Sequence, residues 1–158
     1  MTTDDPTVEP GGGVGSLADR QAGLVAALTA GAPVPEGFDG RLVEVARVAL
    51  LRKRAGEVAK QWPLLAAGLG GAWMREFAAW AGARPTRGAL RDGWDLARDL
   101  AGREALPGIA GEELASREAT MSYDGLSAPR PRRAPALRRA GGAVALQIAG
   151  TVRILRRA

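Results

Sequence analysis

The sequence predicts an all-α fold, a compact bundle of five to six helices with a short C-terminal β-hairpin and a disordered N-terminal leader. Three observations lead to this prediction. Apolar residues recur at steps of three and four over residues 16–125, glycine and proline separate these runs, and the step changes to two near the C-terminus. Steps of three and four are typical of amphipathic helices that share a core, and a step of two is typical of strands.

We divide the 158 residues into four parts by composition. Residues 1–15 combine acids, prolines and glycines with almost no apolar surface to bury, which favours a disordered leader. Residues 16–125 form the helical domain. Residues 126–139 are rich in proline and arginine and are expected to be an extended linker, and residues 140–158 form a basic hairpin tail.

The first three helices have clear boundary signals. Helix one begins at Ser16, a good N-cap, and ends before Gly31. Helix two covers about residues 39–62, because Pro63 disfavours helical geometry at the residue before it. Pro63 then takes the first position of a short third helix, which Gly70 closes.

Three more helices follow, over about residues 72–81, 87–102 and 107–122. Each has a run of apolar residues on one side and charged residues on the other. The predicted core consists of the apolar side chains that these helices and helix two place on shared faces. These residues are Val48, Leu51, Val58, Trp62, Trp73, Phe77, Trp80, Leu90, Trp94 and Leu114.

The tail after Gly141-Gly142 has two possible structures. Apolar residues alternate on both sides of Ala149-Gly150, which favours a hairpin, and the three glycines and five β-branched residues of the segment agree. A helix face with Val144, Ile148, Val152 and Leu155 is the alternative. An isolated hairpin is marginal in water, so it is expected to pack on the bundle or on a partner.

The composition excludes several classes of function. The chain has no cysteine and no histidine, which rules out disulfides, thiolate nucleophiles, triads with a histidine base and nearly all zinc and non-haem iron sites. The remaining carboxylates, arginines, two lysines and one tyrosine are a poor set for catalysis. We therefore expect that the protein is not an enzyme and has no catalytic residues, metal or cofactor.

The sequence predicts no membrane span and a cytoplasmic location. The longest uncharged stretch near the tail, 140–152, has 13 residues, whereas a spanning helix needs about 20. The N-terminus is acidic and lacks the apolar core of a signal peptide.

The net charge of +5 hides an asymmetry between the body and the tail. Residues 129–158 contain eight arginines and no acid, so the tail attracts polyanions. The tail has no interleaved aromatic residues on which nucleic-acid bases could stack. An equally good interpretation is that its arginines keep the tail soluble and protect the edge of the hairpin from pairing with other strands. The candidate polyanion contacts are Arg130, Arg132, Arg133, Arg138, Arg139, Arg153, Arg156 and Arg157.

Two other clusters each have a structural and a functional interpretation. The aromatic residues of the predicted core could bind a planar ligand, but their helical spacing favours packing. Asp92, Asp95 and Asp99 could hold a hard cation, but interleaved arginines favour an ion-paired surface.

Three further motifs are expected to be structural. The glycines of residues 11–15 lack the strand and the Gly-Lys-Ser/Thr ending of a phosphate loop. The basic run 52–54 fans out around its helix and makes no single phosphate-tracking stripe. Tyr123 and Asp124 are expected to be a wedge and a cap at a helix end.

The order of elements resembles a family of uncharacterised actinobacterial helical domains. More distantly, it is similar to the family that is named as a DNA-binding domain and that includes partner proteins of multinuclear-iron peptide-modifying enzymes, such as the methanobactin partner. The residues that carry the resemblance are Leu17-Ala18-Asp19-Arg20-Gln21, Gln61-Trp62-Pro63-Leu64-Leu65, Phe77, Pro85, Leu90, Gly93-Trp94, Leu106-Pro107-Gly108-Ile109-Ala110 and Leu114-Ala115-Ser116-Arg117-Glu118.

The resemblance covers about residues 16–125 and consists of core and turn residues. It implies a helical module without catalytic residues, followed in some relatives by a β-rich part, whose partner enzyme supplies the iron and its ligands. We therefore expect a protein- or peptide-binding accessory module whose partner is a protein, a peptide or a separately encoded enzyme. Polyanion binding through the arginine-rich tail is the alternative.

Overall fold

A computed structural model describes residues 16–148 and 151–156 of the chain. The predicted disordered leader, residues 1–15, lies outside this part. The predicted turn residues Ala149 and Gly150 and the candidate contact Arg157 also lie outside it.

Six α-helices follow one another over residues 17–120 and lie close to the helices that the sequence predicts. A single 3-10 turn, Gly70–Ala72, joins the third helix to the fourth. The helices are α1 (Leu17–Ala30), α2 (Gly40–Gln61), α3 (Pro63–Leu69), α4 (Trp73–Ala81), α5 (Ala89–Gly102) and α6 (Gly108–Thr120).

The boundary signals of the first helix act through specific hydrogen bonds. The Ser16 hydroxyl accepts a hydrogen bond from the Asp19 backbone N–H at 3.2 Å, and the Asp19 carboxylate accepts one from the Ser16 N–H at 2.9 Å. This reciprocal pair is a capping box. Gly31 ends the helix at a φ of +68°, a left-handed conformation that glycine adopts without strain.

In the described residues after α6, five strands form two antiparallel sheets. Strands β1 and β2 make a small two-stranded sheet, and β3, β4 and β5 make the terminal sheet in the order β3-β4-β5. Gly141 and Gly142 connect β3 to β4 at positive φ angles of 52° and 79°, as a tight hairpin turn requires. The strands are β1 (Met121–Ser122), β2 (Arg130–Pro131), β3 (Ala136–Ala140), β4 (Ala143–Ile148) and β5 (Thr151–Arg156).

The fold is therefore α+β, and the prediction of an all-α fold with a single hairpin is wrong. Strands β4 and β5 do pair as a hairpin, in the alternation that the sequence shows. Strands β1, β2 and β3 were not predicted. The side of β3 toward α6 carries Ala136, Arg138 and Ala140, and its other side carries Leu137 and Arg139. Because alanine and arginine occupy its two sides, β3 has almost no visible hydrophobic alternation.

The segment 126–139, predicted as an extended linker, is part of the fold. It contains β2 and most of β3. The Arg132 Nε donates hydrogen bonds to the carbonyl oxygens of Glu118 and Met121, both at 2.9 Å. The Arg132 backbone N–H donates to the Thr120 carbonyl oxygen at 2.7 Å. These bonds attach the proline- and arginine-rich segment to the end of α6.

Helix α6 lies between the helical core and the terminal sheet. Leu114 belongs to the main core cluster, whereas Ala115 and Ala119 pack with Ala145 of β4. A Cβ atom added at Gly111 would lie 2.7 Å from the Ala140 carbonyl oxygen, so only glycine permits this approach. The small residues of α6 thus let the sheet pack closely on the helix.

Within residues 16–148 and 151–156, no helix has both the length and the apolar character that a membrane crossing requires.

Candidate functional site

The terminal sheet has one face on α6 and another that no described element covers. Ala143, Ala145 and Gln147 of β4 are buried on the α6 side. On the opposite side, Leu137 is 49% exposed and Leu155 is 58% exposed. The pairing register places Leu137, Leu146 and Arg153 in one row across this outer face, and Arg139, Val144 and Leu155 in the next row.

Strand β5 forms an open edge of this sheet, since it pairs with β4 on one side and with no described strand on the other. Ile154 pairs with the fully buried Ala145 and points to the α6 side, yet it is 40% exposed. Leu155 is exposed on the outer face. Strand β5 thus extends beyond the cover of α6, and its apolar side chains are accessible on both faces at one edge.

The charge around this edge is uniformly positive. Asp124 is the last acidic residue of the chain, so the terminal sheet contains none. Arg153 of β5 lies on the outer face and is exposed, and Arg139 is exposed on the same face in β3, at the opposite edge of the sheet. A molecule that binds at the edge of β5 therefore meets apolar surface and arginine together.

The structure does not place the candidate polyanion contacts on a single surface. Arg132 is held by the carbonyl oxygens at the end of α6, and the Arg138 Nη1 donates to the Leu137 carbonyl oxygen at 2.7 Å. Arg139 and Arg153 share the outer face of the sheet, whereas Arg130 in β2 and the neighbouring Arg133 are exposed outside the terminal sheet. Arg156 is the last residue of β5.

Most residues of the predicted core lie in one buried cluster. Val58, Trp62, Phe77, Trp80, Trp94 and Leu114 are buried there, and Leu51, Trp73 and Leu90 pack against it from the surface. Val48 is only half-buried. The Trp62 and Trp94 rings pack edge to face, with 5.7 Å between their centroids. The Trp62 Nε1 donates a hydrogen bond to the Leu90 carbonyl oxygen at 2.9 Å. These aromatic rings pack on one another in the protein interior.

The three aspartates of α5 each have a partner. Asp92 forms a salt bridge with Arg54, Asp95 accepts a hydrogen bond from the Tyr123 hydroxyl at 3.0 Å, and Asp99 pairs with Arg103 at 3.0 Å. No group of three or more acidic side chains in the described part of the chain is arranged to hold a metal ion. The aspartates therefore stabilise helix contacts.

Tyr123 and Asp124 directly follow β1, just after the last helix. Burial and the hydrogen bond to Asp95 raise the pKa of the Tyr123 hydroxyl, since both disfavour the phenolate. Asp124 accepts hydrogen bonds from the backbone N–H groups of Leu126 and Ser127, which lower the pKa of its carboxyl group. The pair thus anchors the turn that leads into β2.

A groove of about 430 Å³ lies between α1, α2 and the beginning of α5, away from the sheet. Its walls are mainly apolar, from Leu28, Leu50, Leu51 and Ala89. Lys53 and Glu57 of α2 lie among the lining residues. The groove thus combines apolar walls with a few charged side chains.

A buried ion pair fixes one side of this groove. The Arg54 Nε donates to the Asp92 carboxylate at 2.9 Å, and the Arg54 Nη1 donates to the Arg84 carbonyl oxygen at 2.6 Å. Asp92 also accepts hydrogen bonds from the Thr86 hydroxyl at 2.6 Å and the Arg87 backbone N–H at 2.9 Å. These bonds join α2 to the loop that connects α4 with α5.

Neither surface is evident from the sequence alone, for physical reasons. Leu137 is hidden because residues 126–139 have the composition of a linker, whereas β5 lies in the predicted hairpin and only its place at the edge of a larger sheet is not visible. The pair Gly141-Gly142 directly before the alternating run of β4 is the turn signal that points to a preceding strand, β3. No local signal identifies the groove, since its lining residues are distant in sequence.

Comparison with known proteins gives a family and a relative. The family model for the SCO6045-like, C-terminal domain matches residues 18–102. A UPF0276 protein from Streptomyces avermitilis is 45% identical over 85 residues, which are 53% of this chain and 18% of that protein. The chain therefore spans less than a fifth of the curated relative that it matches. No solved structure matches the chain significantly.

These comparisons correct the prediction that the chain is not an enzyme. That prediction relied on the missing histidine and cysteine and on the character of the resembling family. Neither the UPF0276 protein nor the SCO6045-like domain family is shown to lack catalytic activity. The composition thus removes particular catalytic groups and does not exclude an enzyme.

Proposed function

The chain belongs to the family of SCO6045-like C-terminal domains, and on that premise we propose that it is a protein- or peptide-binding accessory module. Its binding site is the open edge of β5. The observation that carries this proposal is the exposure of Ile154 and Leu155, which lie on opposite faces of the sheet at the same edge. Only a chain that lies alongside β5 contacts both side chains at once.

An added strand also satisfies the backbone of β5. An edge strand presents unpaired N–H and C=O groups, and extended segments bind such edges with main-chain hydrogen bonds while their side chains alternate between the two faces. On one face the new strand meets Val152 and Ile154, and on the other it meets Arg153 and Leu155. Each face thus contributes an apolar contact, and the outer face contributes a charge.

The charge of the sheet selects the kind of segment. Arg153 of β5 has no acidic neighbour within the terminal sheet, so a segment beside β5 with carboxylates toward the outer face is favoured. A second copy of this chain is disfavoured, because two sheets that contain arginine and no acid would lie side by side. The segment that fits best alternates apolar and acidic residues.

Two similarities support a role beside another protein. In the Streptomyces avermitilis relative, the matched segment makes up 18% of a longer UPF0276 protein, so a segment of this kind is covalently joined to further protein there. The order of sequence elements over about residues 16–125 also suggests a distant similarity to the partner proteins of peptide-modifying enzymes, and we include this similarity in the proposal. Both support a partner that is a peptide or a larger protein, including a separately encoded enzyme.

The eight arginines after residue 128 favour polyanion binding as a second candidate function. That function would use the charges together, without a particular strand. Nonspecific binding to duplex DNA would then weaken steeply as the salt concentration rises.

The proposal is tested with the full chain and a fluorescent octapeptide of alternating valine and glutamate. We expect saturable binding, and about tenfold weaker binding for Arg153→Glu, because the change replaces a cross-strand attraction with a repulsion. Arg130→Glu is the matched control, since it alters the net charge equally at an exposed arginine outside the terminal sheet. Its affinity is expected to stay within about twofold of the unchanged protein.

Two further peptides decide between the candidates. A copy with N-methyl groups on alternate backbone amides keeps the charge and loses main-chain donors, so it should bind far more weakly. Equal binding of both peptides would show that no strand is added. Equal losses for Arg153→Glu and Arg130→Glu, with steep salt dependence on duplex DNA, would replace the proposal with polyanion binding.

A further inference from the structure

We propose that the groove between α1, α2 and α5 is a second binding site, for an apolar chain that ends in a carboxylate. None of its lining residues belongs to the terminal sheet, so this site is separate from the edge of β5. Its volume of about 430 Å³ lies in the usual range for small-molecule sites. The site binds one small ligand per chain.

The walls of the groove select an apolar ligand. Leu28 and Leu51 are half-buried along its sides, and Leu50 is 43% exposed at its surface. A ligand that covers Leu50 removes this apolar surface from water, which is the main source of affinity for such a site. Ala89, at the beginning of α5, adds no polar side chain to the wall.

The charged side chains select the other end of the ligand. The charge of Arg54 is balanced by Asp92 at 2.9 Å, and Glu57 pairs with Lys60 at 2.9 Å. Lys53 forms no hydrogen bond or salt bridge with another residue of the described part, although its charge helps Lys60 to keep the pKa of the Glu57 carboxyl low. Because Lys60 already pairs with Glu57, Lys53 is the groove cation without a close counter-ion among the described residues. An ammonium group at the surface of an apolar groove favours a carboxylate over a neutral or cationic head group.

The groove exists before the ligand arrives. Arg54 is fixed by Asp92 and by the Arg84 carbonyl oxygen, so α2 and the loop before α5 keep their separation without a ligand. The guanidinium carbon also lies 5.7 Å from the ring centroids of both Phe77 and Trp80. A preformed site loses little free energy to ordering when it binds.

The test compares octanoate, octanol and octylamine with the full chain by isothermal titration calorimetry. These ligands share a tail and differ in head group, so we expect octanoate to bind with one-to-one saturation, octanol about three- to fivefold more weakly, and octylamine most weakly. If octylamine binds as tightly as octanoate, Lys53 does not select the ligand and the proposal is wrong.

Substitutions on α2 locate the site. Lys53→Gln should reduce octanoate affinity to the level of octanol, whereas Arg52→Gln, an equal loss of charge outside the groove, should change nothing. Leu50→Glu should weaken all three ligands at least tenfold, because it places a charge on the apolar wall. The control Leu42→Glu changes a 68% exposed leucine of the same helix that does not line the groove. Equal losses for the two leucine variants would overturn the proposal.

Two additional measurements distinguish the source of the ligand and separate this site from the first. Acetyl-Leu-Leu with a free C-terminus presents the same chemistry as octanoate. We expect octanoate to bind more tightly, because the site takes a small free acid, and tighter binding of the peptide would contradict the proposal. Arg153→Glu should leave octanoate binding unchanged, so the two proposals succeed or fail independently.

Discussion

Replacing Asp92 with alanine should destabilise the protein more than any other single loss of charge on α5. Asp92 is only 2% exposed and accepts three hydrogen bonds, from Arg54, Thr86 and the Arg87 backbone. Arg54 is itself 13% exposed, so Asp92→Ala leaves a buried guanidinium without its counter-ion. Breaking a buried pair in this way costs about 3–5 kcal/mol, which is a large part of the roughly 5–15 kcal/mol by which domains are stable.

The assay is urea unfolding followed by tryptophan fluorescence, since the chain has four tryptophans. Asp99→Ala is the matched control on the same helix, because Asp99 pairs with Arg103 at the surface and its loss should cost less than about 1 kcal/mol. The double variant Asp92→Ala with Arg54→Met should recover much of the loss, because an apolar pair tolerates burial better than a lone charge. A cost below about 1 kcal/mol for Asp92→Ala, or a double variant less stable than the single one, would refute this reasoning.

Two other predictions concern the close packing of Gly93 and the pKa of Tyr123. Gly93→Ala should destabilise the protein by about 3 kcal/mol in the same unfolding assay, because the new Cβ would lie 2.2 Å from the Trp62 Cδ1. Gly102→Ala, which meets no atom within 4 Å, should lack this cost, and a similar loss at both positions would contradict the steric explanation. Tyr123 is the single tyrosine, so a titration of phenolate absorbance should give a midpoint above the ordinary pKa of 10.0. Because the folded protein favours the neutral hydroxyl, the stability that this group contributes is fully present below pH 10.0 and is lost as the pH rises through the raised pKa. Asp95→Asn should lower the midpoint, and an unchanged midpoint would mean that burial alone raises the pKa.

The helices were predictable because their signals are local. Gly31 ends α1 and Pro63 begins α3 through their own backbone preferences, which do not depend on the surrounding structure. The three- and four-residue spacing of apolar residues such as Val58 and Trp62 directly indicates a buried helix face. The terminal sheet was only partly predictable, because the inner side of β3 carries two alanines around Arg138, and the burial of those alanines depends on Gly111 and the small residues of α6. The burial of β3 arises from the contact between two surfaces, so neither sequence segment indicates it by itself.

The candidate sites show the same limit. The basic run 52–54 is one cluster in the sequence, but the fold separates its members. Arg54 is buried against Asp92, which is 38 positions away in the chain, whereas Lys53 remains at the groove. Composition indicated that the tail carries an unusual charge, and only the register of β3, β4 and β5 shows that Arg139 and Arg153 share a face with exposed leucines.

The most direct test of strand addition is amide hydrogen exchange of the full chain, with and without the valine–glutamate octapeptide. Strand addition predicts slower exchange at residues 151–156 when the peptide is bound, while the backbone of α1 and α2 is unaffected. Tight peptide binding with unchanged exchange in β5 would contradict the central claim, because it would place the peptide elsewhere on the protein.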